Sequence, residues 1–101
     1  MTIEQKMTDT ATVELTLLGR LDAANSPLLE AKIKQCGNEI TEIVLDFAGL
    51  DYISSIGLRI LLQVKKQFQK DNRKLTIKNM NETVREVFVM TGFHKLMLQE
   101  E

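Results

Sequence analysis

The 101-residue chain reads as one α/β domain, residues 1–101, in which helices cross over a mixed sheet of four to five strands in the order β-β-α-β-α-β-α. Three features carry this reading. Residues 12–17 alternate strictly, with Val13, Leu15 and Leu17 on one side and Thr12, Glu14 and Thr16 on the other, as a half-buried strand does. Residues 42–47 (EIVLDF) are β-branched and nearly continuous, the pattern of a central strand covered on both faces. Segments of helical period separate such strands, and the element type changes every ten to fifteen residues. Parallel neighbours then require right-handed helical crossovers.

Taken in order, residues 2–7 form a weak strand that ends at Thr8-Asp9-Thr10 and pairs with residues 12–17 as an N-terminal hairpin. Gly19-Arg20-Leu21-Asp22 breaks the alternation. Ser26 followed by Pro27 marks a helix start, with a capping hydroxyl and a ring whose φ suits the first turn. Leu29, Ile33 and Cys36 follow at i, i+4 and i+7, and Gly37 is placed to end that helix. After strand 42–47, residues 55–70 are helical, 74–78 (KLTIK) form a short alternating strand, and 82–90 form a third helix. That helix lines up Val84, Val87, Phe88 and Thr91 and stops at Gly92, before a short apolar closing element at residues 93–98.

The composition is that of an ordinary globular domain: 44% apolar, 27% charged, one proline and a formal charge of −1. A chain of this size buries roughly 60–68% of its unfolded surface, enough for one modest core. Near-neutrality excludes a global electrostatic pull toward nucleic acid or anionic membrane. Apolar runs are short, such as Ile43-Val44-Leu45 and Ile60-Leu61-Leu62, whereas a membrane span needs about 20 residues. The first seven residues lack the apolar core of a secretion signal, and a single cysteine forms no internal disulfide. The cytoplasm is the expected compartment.

Chemistry concentrates where strand gives way to helix, at Leu50-Asp51-Tyr52-Ile53-Ser54-Ser55-Ile56-Gly57-Leu58-Arg59. Two hydroxyls stand at a helix N-terminus, where free N–H donors and the helix dipole favour anions. Either serine serves equally well as a plain N-cap. A serine-hydrolase elbow does not fit, because no glycine stands two residues before either serine and His94 is the only histidine.

These segments together resemble the STAS family of bacterial anti-sigma factor antagonists and sulfate-transporter domains. The resemblance is carried by Gly19-Arg20-Leu21-Asp22, Ile43-Val44-Leu45-Asp46-Phe47, Tyr52-Ile53-Ser54-Ser55-Ile56-Gly57-Leu58, Val84-Arg85-Glu86-Val87 and Thr91-Gly92, in order and across nearly the whole chain. It implies a free-standing antagonist that is not itself an enzyme and holds no cofactor or metal. Such a protein binds an anti-sigma factor that is also a serine kinase, and so frees a sigma factor. The kinase, which holds ATP and Mg²⁺, phosphorylates the antagonist at the helix start; a serine phosphatase resets it. The family's motif, Asp-Ser-(Ser/Thr)-Gly-Leu, aligned on Gly57-Leu58, places the acceptor at Ser55. Ser54 stands where the motif has its acid and becomes an alternative acceptor, while Ile56 replaces the second hydroxyl residue. Asp22 matches an acidic position that the family associates with its kinase-facing surface.

On the helix 55–70, Gly57, Leu61, Val64 and Phe68 form one row and Leu58 and Leu62 an adjacent one. Ile56 and Ile60 lie toward the Arg59/Gln63 side, either packed under a loop or exposed as a docking rim. The expected partner surface is therefore Asp22, Ser54, Ser55, Ile56, Arg59 and Ile60. Two other functions use the same fold: a STAS subunit of a membrane transport complex that binds a cytoplasmic ATPase, or a sensor of a small anion at the helix start. The sensor lacks a glycine-rich phosphate loop.

The remaining features read as structural. The basic stretch of Lys65, Lys66, Lys70, Arg73, Lys74 and Lys78 suits a solvated helix end and lacks the aromatics of a nucleic-acid site. Cys36 is a small core residue, His94 has no metal-ligand partners at the right spacing, and the five methionines are scattered gap-fillers. Asp46 is either a satisfied buried carboxylate or one aimed at the following helix.

Overall fold

The computed structural model describes residues 1–37 and 39–92. Strands Thr2–Met7 (β1) and Thr12–Leu21 (β2) form the N-terminal hairpin, antiparallel, with Met7 opposite Val13 and Thr2 opposite Leu18. Helix Ser26–Gln35 (α1) leads to strand Glu42–Ile53 (β3), helix Ser55–Lys70 (α2), strand Lys74–Lys78 (β4) and helix Glu82–Thr91 (α3). The four strands lie in chain order, and the pairs β2/β3 and β3/β4 are parallel. The crossover connections demanded by these parallel pairs are α1 and α2.

The core follows from register. Val13, Ile43 and Leu75 form one row across the sheet, and Leu15, Leu45 and Ile77 the next. All six are buried, together with Leu29 and Ile33 of α1, Leu58, Leu61, Val64 and Phe68 of α2, and Val84 and Phe88 of α3. Phe88 meets Phe47 edge to face, with ring centres 6.5 Å apart.

The other sheet face is mostly polar and, apart from buried Thr76, only half-buried, so β3 is not covered on both sides as its unbroken run suggested. Val44 and Asp46 lie there, and Lys78 pairs with Glu14 across it at 3.3 Å. Asp46 accepts hydrogen bonds from the Ala48 N–H (2.9 Å) and from Asn79 Nδ2 (3.1 Å). It is thus a satisfied, half-exposed carboxylate at a strand bend, neither deeply buried nor aimed at a helix.

Two strands run further than their alternation shows. Register shifts between Thr16 and Leu18 and between Gly19 and Arg20 carry β2 on to Leu21, beside Ile53 at the end of β3. Such bulges break the period of two, which is why residues 19–22 look like an interruption. Gly19 takes φ +107° there, a conformation open to glycine.

The helix ends bring further corrections. Asn25 holds the N-cap position of α1 without a side-chain cap, whereas Ser26 is buried and donates its hydroxyl to the Asp22 carbonyl at 2.6 Å. Gly37 ends the turn with φ +85°. Thr91, placed on the core face by spacing, is exposed and donates its hydroxyl to the Val87 carbonyl at 2.8 Å. The basic stretch is not a uniformly solvated helix end. Lys65 is buried and donates to the Leu75 carbonyl at 3.0 Å, with its ammonium pKa pushed down by burial and by Lys74. Arg73 donates to the carbonyls of Ile40 (2.8 Å) and Gly37 (3.0 Å) while stacking on Phe68. Cys36 is half-buried against the core, and burial raises its thiol pKa. The closing element 93–98 and His94 lie outside the described residues.

Candidate functional site

The ends of β2 and β3 place α2. Leu21 and Ile53 stand side by side, and the Ser54 N–H continues the ladder by donating to the Leu21 carbonyl at 2.9 Å. The chain then turns into the helix. Ser54 is its N-cap, extended at φ −92° and ψ 169°, and its Oγ accepts the Gly57 N–H at 3.1 Å. Its carbonyl accepts the Leu58 N–H at 2.9 Å. The half-buried Ser54 is therefore occupied at N–H, side chain and carbonyl alike.

Gly57 makes this joint tight. A Cβ at this position would lie 2.8 Å from the Leu21 carbonyl oxygen, 3.1 Å from Leu21 Cγ and 3.2 Å from Ile53 Cγ1. Only a residue without a side chain lets the first turn of α2 rest directly on β2.

Ser55, the first helical residue, is exposed. The first turn of α2 holds no acidic residue, so the positive end of its dipole has no side-chain counter-charge there. Ile56 is 44% exposed and Arg59, one turn beyond Ser55, is exposed as well. Ile60 separates from this group: it is half-buried and packs against the core, so the expected rim narrows to Ile56 and Arg59.

Asp22 borders the same end of the sheet. Its Oδ1 accepts the N–H groups of Ala24 (3.1 Å) and Asn25 (3.2 Å), and its own N–H donates to Asn25 Oδ1 at 2.8 Å. Its carboxylate thus shapes the turn into α1 while remaining half-exposed, with Arg20 Nε 3.8 Å from Oδ2. The Arg20 guanidinium also lies 4.5 Å above the ring of Tyr52, its neighbour in register on β3. Exposed Leu28, in the first turn of α1, adds a further apolar side chain. Sequence reasoning passed over Leu28, Tyr52 and Arg20 as site residues. Leu28 falls off the Leu29/Ile33/Cys36 row, which was a usable signal. The Arg20–Tyr52 contact depends on strand register and was not legible.

Among the described residues no group of three or more His, Cys, Asp or Glu is arranged to hold a metal ion. No described helix is long and apolar enough to cross a membrane. What the junction offers is an exposed hydroxyl on a rigid helix start, ringed by apolar and charged side chains that reach solvent.

Comparison with known proteins agrees with this geometry. The STAS domain model matches residues 3–100. BtrV of Bordetella bronchiseptica, a candidate anti-sigma factor antagonist, is 41% identical over 78 residues, covering 76% of this chain and 67% of its own length. The unphosphorylated form of the anti-sigma factor antagonist SpoIIAA superposes with a TM-score of 0.82 at 24% identity, over 99% of this chain and 89% of that one. The phosphorylated form of SpoIIAA, a Bacillus cell fate determinant, gives a TM-score of 0.75 at 24% identity, over 99% and 92%. A candidate antagonist from Thermotoga maritima gives 0.84 at 19% identity, over 95% and 83%. At such identities the structural matches speak for the fold.

Proposed function

The chain belongs to the STAS domain family, and on that premise we propose that it is an anti-sigma factor antagonist. It binds an anti-sigma factor that is also a serine kinase, releases a sigma factor by doing so, and is switched off when that kinase phosphorylates Ser55. A serine phosphatase restores the binding form. ATP and Mg²⁺ belong to the kinase, and this chain supplies only the acceptor hydroxyl.

The observation that carries the reading is the contrast between adjacent serines. Ser54 is consumed as the N-cap, with Oγ accepting the Gly57 N–H at 3.1 Å, whereas Ser55 is exposed. This favours Ser55 over Ser54 as the acceptor. A phosphate there adds about −1.5 to −2 charge at pH 7. The positive end of the α2 dipole accommodates it, so the fold persists and the effect falls on the partner. The phosphate also stands next to exposed Ile56, where its bulk opposes the partner's approach.

The test is binding of the anti-sigma factor kinase to Ser55→Ala and Ser55→Asp variants, with mass analysis of the wild-type chain after incubation with kinase and ATP. Ser55→Ala retains binding and takes up no phosphate, while Ser55→Asp loses binding. Equal binding by both variants, or a phosphate found on Ser54, overturns the reading.

A further inference from the structure

Among the described residues β1 has a neighbour on one side only, β2, which leaves its other edge open. The phase of the hairpin shows which backbone groups lie along that edge. The Thr8 N–H donates to the Thr12 carbonyl at 3.0 Å, and Met7 stands opposite Val13 in the same register. In an antiparallel pair, residues that bond across the ladder alternate with residues that do not. Thr2, Glu4 and Lys6 therefore turn their N–H and C=O groups toward β2, while Ile3, Gln5 and Met7 turn theirs outward. Side chains alternate between the two faces of the sheet. Ile3, Gln5 and Met7 stand opposite Leu17, Leu15 and Val13 on the helix-bearing face, and Glu4 and Lys6 stand on the polar face. Ile3 is half-buried; Glu4, Gln5, Lys6 and Met7 are exposed, Met7 by 51%.

From this edge we propose that the protein forms a two-fold dimer in which β1 pairs antiparallel with β1 of a second copy, centred on Gln5. In that register Gln5 meets Gln5 and Ile3 meets Met7, so every outward N–H and C=O along the edge finds a partner. Ile3 and Met7 make apolar contact on the helix-bearing face. On the polar face Glu4 meets Lys6 of the second copy, and by symmetry Lys6 meets its Glu4. A lysine on an edge strand ordinarily discourages pairing, but here the facing Glu4 neutralises it. Sliding the copies by two residues either way sets Glu4 against Glu4 or Lys6 against Lys6, with like charges directly opposed. The backbone phase and the charges thus select the same register. The β4 edge offers no such match: Lys65 Nζ holds the Leu75 carbonyl at 3.0 Å, and copies meeting about Thr76 would set Lys74 against Lys78. The β1 edge spans about 20 Å, so the dimer is reversible and weaker than one held by an interface of standard size. In it the two four-stranded sheets become continuous, and the two β2 strands run in opposite directions. The two α2 starts then lie at opposite ends of the joined sheet, and each Ser55 stays open to solvent.

The experiment is sedimentation equilibrium of the full chain from about 10 μM to about 1 mM. It compares wild type with Glu4→Lys, Lys6→Glu, an equimolar mixture of these two variants, and Gln5→Pro, which removes the central N–H at a position that does not bond to β2. Circular dichroism checks that each variant keeps its fold. Wild type shifts from monomer to dimer across the range. Each charge variant sets like charges opposite one another and raises the dimer dissociation constant about tenfold or more, and Gln5→Pro does the same. The mixture restores wild-type association, because the two variants carry opposite charges at both facing positions. A wild type that stays monomeric across the range overturns the proposal. So does a dimer indifferent to these substitutions, or a mixture that associates no better than either variant alone. None of these outcomes bears on the Ser55 switch, which is read by kinase binding.

Discussion

Two helix starts in this molecule solve the same problem differently. At α3, Asn81 caps the helix by accepting the Val84 N–H at 2.8 Å, and Ser54 does the same at α2 with the Gly57 N–H at 3.1 Å. Both caps are extended, with ψ near 170°. The α3 start is then completed: Asn81 Nδ2 donates to the Leu50 carbonyl at 2.9 Å, and Glu82 puts an acid in the first turn. The α2 start has no acid there; instead it presents Ser55 to solvent and rests on Leu21 through Gly57. The α3 start is thus a finished joint, whereas the α2 start is mechanically fixed yet electrostatically open. That combination is what the proposed phosphorylation of Ser55 calls for, a dianion accepted without movement of the helix.

The contrast gives graded expectations for stability, all measured as shifts in urea unfolding midpoint. Gly57→Ala is the most damaging, at about 1–3 kcal/mol, because the new Cβ meets the Leu21 carbonyl at 2.8 Å and the usual helical gain from alanine does not offset that overlap. A neutral or stabilising Gly57→Ala would dissolve the claim that α2 is seated on β2. Asn81→Ala comes next, at about 1–2 kcal/mol, since it removes a cap and leaves the Leu50 carbonyl without its side-chain donor. Ser54→Ala, which loses the cap alone, costs about 1 kcal/mol. Should Ser54→Ala prove as costly as Asn81→Ala, the two joints differ less than their geometry says. Phosphorylation of Ser55 stabilises the fold by about 0.3–1 kcal/mol at low salt and less at high salt. Ser55→Ala, at an exposed site, stays within about 0.5 kcal/mol of wild type.

Only part of this site was legible beforehand. Helix Ser55–Lys70 and strand Lys74–Lys78 emerged with their observed limits because their periodicity is local and unbroken. The end of β2 did not, since the bulges near Gly19 shift side chains out of alternation and the continuation to Leu21 exists only against β3. Ser26 looked like a cap because its neighbour is Pro27, yet its hydroxyl donates to the Asp22 carbonyl. Ile60 looked like Ile56 on a helical wheel, but it packs against the core while Ile56 faces solvent. The capping role of Asn81 went unnoticed, although Asn before a helix is a standard signal.

From its residues alone this protein declared an α/β domain with a serine pair at a strand-to-helix junction, because side-chain period and turn chemistry are properties of neighbouring positions. Which serine is spent and which is exposed depends on how far α2 sinks onto Leu21. The half-open sheet face, the inward turn of Lys65 and the contact of Arg20 with Tyr52 depend likewise on elements that meet across the sheet. Burial and contact between residues distant in the chain are decided by packing, and packing exists only once the chain has folded.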